Sequence, residues 1–160
     1  MKSAPEVTVQ NQQKKIRFSS TQMIPWVKKI LRALGWDRVK LDILVVDDRQ
    51  MQKFHRHYLK ENSPTDVMAF SPALRFSQAH GVPFLGNIVI SVETAYRTAP
   101  QFGHTGDREL LLYACHGILH LMGERDDAPR RKARMDAIQQ KVLKKILGRK
   151  WHFKKPKRLF

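Results

Sequence analysis

The stretch that decides how this chain is read is Cys115-His116-Gly117-Ile118-Leu119-His120-Leu121-Met122-Gly123-Glu124-Arg125-Asp126-Asp127. His116 and His120 stand four residues apart among good helix formers. That spacing stacks both imidazoles on one helix face, one turn apart, where they can share a metal ion. Gly123 is the residue type suited to end such a helix in a left-handed turn. A chain turning back there brings Asp126 or Asp127 under the two histidines as a third ligand. Cys115 directly precedes His116, so it points away from the His face and is expected to be a buried core residue.

The order H-x-x-x-H-x-x-G-x-x-D is the ligand order of the metzincin proteases, with a carboxylate in place of the third imidazole. One residue breaks the protease pattern. The Glu that follows the first His in H-E-x-x-H is Gly117 here, so the usual general base of peptide hydrolysis is missing. The motif predicts a metal centre and argues against a protease.

With 160 residues, 42% of them hydrophobic, the chain has enough material for one domain with its own core and too much for general disorder. No apolar run approaches the roughly 20 residues needed to cross a bilayer. Met1–Glu6 lacks the apolar core of a signal peptide. A single cysteine leaves no internal disulfide and makes the cytoplasm the expected location. The net charge is +16, and its placement says more than its size. Of the 30 Lys and Arg, 13 fall in Pro129–Phe160, beside only one of the 14 acids, Asp136. A field so concentrated, starting just past the His motif, suits a polyanion, and nucleic acid is the default cytoplasmic one.

Along the chain, Val7–Gln10 predicts an opening strand. Ser20 or Thr21 then caps a helix with Met23, Val27, Ile30, Leu31 and Leu34 on one stripe, ended by Gly35, with Pro25 tolerable only near its first turn. Val39–Val46 reads as a strand. Asp47 or Asp48 caps a second helix carrying Met51, Phe54 and Tyr58, on which His55 and His57 are ordinary surface or boundary residues. The turn cluster Asn62–Asp66 leads into a short strand, Val67–Phe70, and Ser71–Pro83 reads as a loop. Phe84–Ser91 is the strongest strand signal, and Val92–Gln101 is predicted helical. Asp107 is expected to cap the His-bearing helix, with Glu109 complementing its dipole. Leu110, Leu111, Tyr113, Ala114, Ile118 and Leu119 make that helix central and buried. The last helix runs from about Pro129 to Leu147, with Met135, Ile138, Val142 and Ile146 as its buried stripe. Beyond Gly148, Trp151 and Phe153 sit among Arg149, Lys150, Lys154 and Lys155, a composition that stacks on bases while neutralising phosphates. The predicted division is one domain over residues 1–148 and a basic aromatic tail over 149–160. Four strands and about five helices, mostly alternating, make a single α/β or α+β domain with a mixed sheet.

Three stretches, Pro64–Phe70 (P-T-D-V-M-A-F), Leu85–Ser91 (L-G-N-I-V-I-S) and His116–Gly123 (H-G-I-L-H-L-M-G), together resemble the bacterial YbeY family of metal-dependent endoribonucleases and rRNA maturation factors. The resemblance spans roughly Val39–Asp127. It implies a zincin-like fold, a mixed sheet packed around a central His-bearing helix, with one zinc ion per chain. It also implies cleavage of single-stranded RNA, with rRNA precursor and the small ribosomal subunit as partners, in 16S rRNA maturation and ribosome quality control. Three positions depart from the pattern. Asp126 stands where the family usually has a third His, and Asn87 replaces the Asp of L-G-D-I-V-I-S. Leu59 aligns with the Arg credited with holding the RNA phosphate, leaving Arg56 or Lys60 as substitutes.

The expected centre is therefore His116, His120 and Asp126 around the metal, with Asp127 as the alternative third ligand. Lys60, Arg56 or Arg125 would neutralise the phosphate, and Asp127 or Glu124 would orient a water. Lys144, Lys145, Arg149, Lys150, Trp151, Phe153, Lys154 and Lys155 would grip the RNA. The alternative is a non-catalytic rRNA-binding assembly factor with a structural zinc site, which Leu59 favours.

Overall fold

A computed structural model describes residues 4–58, 66–72 and 81–147. In chain order the elements are β1 (Glu6–Asn11), α1 (Ser20–Ala33), β2 (Lys40–Val46), α2 (Asp48–Tyr58), β3 (Val67–Phe70), β4 (Phe84–Ser91), α3 (Val92–Thr98), a 3-10 turn (Ala99–Phe102), α4 (Gly106–Leu121) and α5 (Pro129–Leu147). The four strands form one mixed sheet in the order β1-β2-β4-β3. β1, β2 and β4 run parallel, and β3 is antiparallel on the outer edge of β4, with Val67 opposite Ile90 and Phe70 opposite Asn87. This is an α+β domain with a mixed sheet, one of the two classes that the alternating patterns predict and the one that the family resemblance implies. Among the described residues no helix is long and apolar enough to cross a membrane.

The two-residue period of the strands divides the core. Leu41, Ile43 and Val45 of β2 and Ile88 and Ile90 of β4 share one large cluster with the apolar faces of α1, α4 and α5. Val46, Val89 and Met68 form a smaller cluster on the other face with Met51 and Phe54 of α2. α4 is the most deeply buried helix, lined by buried residues continuously from Glu109 to Cys115. Gly117 explains how it lies so close to the sheet: a Cβ there would fall 2.9 Å from Cδ1 of Ile88. The position of the protease Glu is therefore pressed against β4, with no room for a carboxylate.

Several local expectations are corrected. Ser19, rather than Ser20 or Thr21, caps α1 by accepting from the Gln22 N–H. Pro25 consequently sits in the second turn, and both it and Thr21, whose carbonyl loses a donor, are exposed to water. Asp47 caps α2 in a reciprocal box, accepting from Gln50 N at 2.8 Å while Gln50 Oε1 accepts from Asp47 N at 3.0 Å. Asp48 instead ties α2 to α3, accepting from Ser91, Thr94 and Arg97. His55 is buried on α2, while His57 is exposed. Thr105, rather than Asp107, caps α4, and Asp107 accepts from the Tyr96 hydroxyl. The buried stripe of α5 is Met135, Gln139, Val142 and Leu143, with Ile138 and Ile146 half-buried. Cys115 is fully buried, as expected.

Candidate metal centre

The centre is built at the C-terminal end of α4, and its geometry begins with the backbone. Gly123 has φ 96°, and two hydrogen bonds close the helix around it, Gly123 N to His120 O at 3.0 Å and Glu124 N to Leu119 O at 2.9 Å. This is a Schellman ending, which needs a residue without Cβ at the left-handed position. The reversal aims the Glu124 carbonyl back at the helix, where it accepts from His120 Nδ1 at 3.1 Å. His116 Nδ1 is held in the same way at 2.8 Å by Oε1 of Gln139, a buried residue of α5.

Those two contacts fix the chemistry of both rings. A carbonyl oxygen only accepts, so each Nδ1 carries a hydrogen, and in the neutral ring Nε2 then presents its lone pair. The two Nε2 atoms are 2.9 Å apart, and Asp126 Oδ2 lies 3.5 Å from His116 Nε2 and 3.7 Å from His120 Nε2. With both hydrogens used on the far side, the short approach of the two nitrogens is a meeting of donors for a cation. Tetrahedral zinc with bonds of about 2.0–2.1 Å places its ligand atoms roughly 3.3 Å apart, and the observed triangle brackets that value. His116, His120 and Asp126 therefore form a group able to hold a metal ion. Burial, with the neighbouring His120 adding to it, pushes the His116 pKa down against the opposing pull of Gln139, Asp66 and Asp126. The ring is thus held in its neutral, ligating form.

Asp127, the alternative third ligand, faces elsewhere: it accepts from Arg131 at 2.9 Å and pairs with Arg125 at 3.1 Å. The Glu124 carboxylate is drawn to Arg134 of α5 at 3.3 Å. Both acids expected to orient a water are thus engaged by arginines, as is Arg125 by Asp127. Arg56 is exposed on α2, and Lys144 and Lys145 are exposed in the last turn of α5. Leu59, Lys60, Arg149, Lys150, Trp151, Phe153, Lys154 and Lys155 lie outside the described residues. One partner escaped sequence reasoning. Gln139 falls four residues after Met135 on the buried stripe of α5, and a polar amide at such a position is the signal that could have found it.

The interior of α4 is also polar along this face. Glu109 is buried against His104, and burial raises its carboxyl pKa against the opposing effect of that contact. Tyr113, also pushed up by burial and then by the Glu109 charge, continues the stripe Glu109–Tyr113–His116–His120.

The sequence profile of the family Endoribonuclease YbeY matches residues 8–147. Two relatives bearing that name are similar over most of their length. That of Aquifex aeolicus is 31% identical over 134 residues, covering 83% of this chain and 87% of the relative. That of Syntrophus aciditrophicus is 33% identical over 139 residues, covering 86% of this chain and 87% of the relative. The Myxococcus xanthus relative is 33% identical over 137 residues and 86% of this chain, but the match spans only 47% of that longer protein. In three dimensions the chain is similar to the solution structure of TM1509 from Thermotoga maritima, with a TM-score of 0.54 and 19% identity over 88% of this chain and 90% of that one. With the profile running from β1 to the end of α5, the chain belongs to the Endoribonuclease YbeY family.

Proposed function

We propose that this chain is a zinc-dependent, single-strand-specific endoribonuclease of the cytoplasm that matures small-subunit 16S rRNA and serves ribosome quality control, with one zinc ion per chain. Family membership gives the enzyme class, a metal-dependent hydrolase of RNA phosphodiester bonds. The observation that carries the reading is the triangle of two lone-pair nitrogens and one carboxylate oxygen at the end of α4. A zinc ion held there supplies a Lewis acid that polarises a phosphoryl oxygen and lowers the pKa of a water. His116 and His120 contribute neutral donors and Asp126 one negative charge, so a site holding a divalent ion keeps a net positive charge toward a phosphodiester. Asp126 is 44% exposed, which leaves the centre open on its side for an RNA strand. Gly117 stands in place of the protease base, which favours phosphodiester over peptide chemistry.

In this reading the basic surface does the gripping. Lys144 and Lys145 of α5, with Arg149, Lys150, Lys154 and Lys155 beyond it, neutralise phosphates, and Trp151 and Phe153 stack on bases. Arg56 or Lys60 takes the place of the family's phosphate-holding Arg. The test is the double variant His116→Ala/His120→Ala, assayed for zinc content and for cleavage of an rRNA precursor. Loss of both is expected, and full cleavage by the metal-free variant would overturn the reading. Leu59 supports one alternative, a non-catalytic assembly factor with structural zinc. It requires ribosome association to survive the His substitutions and to vanish on removal of residues after Gly148.

A further inference from the structure

We infer that Gln139 is a positioning residue for the metal centre: its side-chain oxygen fixes the His116 tautomer that presents Nε2 to the ion, and α5 is the element that locks the ligand ring. The inference rests on the metal-site reading above and concerns a residue outside the ligand set.

Gln139 is only 6% exposed, on a helix face otherwise made of Met135, Val142 and Leu143. An amide buried there without a partner loses its hydrogen bonds to water, so its presence on an apolar stripe needs a compensating bond. That bond is the 2.8 Å contact with His116 Nδ1. A neutral imidazole has one hydrogen to place, and in water both tautomers are populated. An acceptor aimed at Nδ1 removes that freedom and leaves the Nε2 lone pair directed at His120 and Asp126. The Glu124 carbonyl performs the same office for His120.

Two more contacts come from the same helix. Arg134 holds the Glu124 side chain and Arg131 holds Asp127, so α5 touches the ring at His116 and at both ends of the Glu124–Asp127 segment. Of the three, only Gln139 is buried and reaches a ligand directly. The neutral amide also matters. A carboxylate at this position would accept from Nδ1 equally well, but it would cancel the positive charge that the ion retains beside Asp126. A glutamine orients the ring without that loss.

The test uses the full chain and three variants. Gln139→Leu and Gln139→Met keep the volume and the apolar stripe but remove the acceptor, and Gln139→Glu keeps the acceptor and adds charge. Zinc affinity is measured by competition with a chelator. The His116 tautomer is read from its ring nitrogens by NMR in the metal-free protein. Expected are a roughly 10–100-fold loss of zinc affinity in the Leu and Met variants with their metal-free melting temperatures retained, a mixed His116 tautomer in both, and near-complete recovery of affinity in the Glu variant. In the Glu variant the KM for RNA rises while zinc stays bound. Unchanged affinity in a folded Leu or Met variant, or a wild-type His116 protonated on Nε2, overturns the role of Gln139 and leaves the metal reading standing. A wild-type chain that binds no divalent ion overturns the metal reading itself, and this inference with it.

Discussion

Two helices of this molecule end in the same way and to different purposes. α1 closes on Gly35 (φ 92°) with Gly35 N to Arg32 O at 3.0 Å and Trp36 N to Leu31 O at 2.9 Å. α4 closes on Gly123 (φ 96°) with bonds to His120 O and Leu119 O of the same lengths. In neither case would a Cβ on the glycine meet another atom within 4 Å, so both glycines are there for backbone conformation alone. The residue after the turn separates them. Trp36 packs against the main core, the hydrophobic contact that usually accompanies this ending. Glu124 is held by polar contacts instead: its carbonyl holds a histidine and its carboxylate meets Arg134. One turn is fastened by burial, the other by polar groups that converge on the candidate metal centre. A helix ending is thus a general device whose function comes from the side chains it aims.

The comparison breaks most sharply at the acid beyond each turn. Asp126→Ala removes a ligand atom from the triangle, so zinc affinity should fall by more than the roughly 100-fold that a supporting partner can cost, and RNA cleavage with it. Asp37→Ala, the exposed acid beyond Gly35, should change stability by less than about 0.5 kcal/mol and leave metal content untouched. Equal effects in metal analysis and thermal melts would erase the distinction. Asp126→His sharpens it: the family's imidazole at that position should restore zinc binding.

Next come the glycines. Gly35→Ala and Gly123→Ala each force a Cβ into the left-handed region, at a cost of roughly 1–2 kcal/mol apiece in denaturant unfolding. Their metal behaviour should diverge. Zinc at about 100 times its dissociation constant adds near 2.7 kcal/mol of stability to the wild type. That increment should persist in Gly35→Ala and shrink in Gly123→Ala, because only the second turn aims the Glu124 carbonyl and returns the chain to Asp126. Melting with and without chelator measures both numbers. An undiminished zinc increment in Gly123→Ala would show that the turn does not position the ligands.

How much of this was readable beforehand follows the range of the interactions. The four-residue His spacing, Gly123 and Asp126 lie within one short stretch, and local geometry carries them into the structure as expected. The strands were legible because a sheet with buried faces imposes a two-residue period. The starts of α1 and α4 were not, since Ser19, Ser20 and Thr21 all qualify chemically as caps, as do Thr105 and Asp107. Burial of His55 and the partnership of Gln139 with His116 were hidden as well. The His116–Gln139 pair is separated by 23 residues and meets only after α5 folds back onto α4. Gly117 could be read as the loss of a protease base, while its contact with Ile88 needed the sheet.

The smallest effect tests what fastens the α4 turn. Glu124 has two attachments: its backbone carbonyl to His120 Nδ1, and its carboxylate to Arg134, whose side chain is 70% exposed. An ion pair so open to water is worth about 0–1 kcal/mol, because screening and the side-chain entropy of Arg offset most of the attraction. The carbonyl needs no side chain. If the Schellman hydrogen bonds hold it in place, Glu124→Ala and Arg134→Ala should leave zinc affinity within about threefold of wild type and stability within that 0–1 kcal/mol range. If the carboxylate–guanidinium contact is the fastening, both variants should lose affinity together, by the same factor as the double variant. The first outcome makes the two helix endings equivalent in their backbone mechanics. The second makes the α4 turn dependent on α5 for its shape as well as for Gln139. Chelator competition on the two single variants and the double variant distinguishes the cases, because a pair acting as one unit is non-additive.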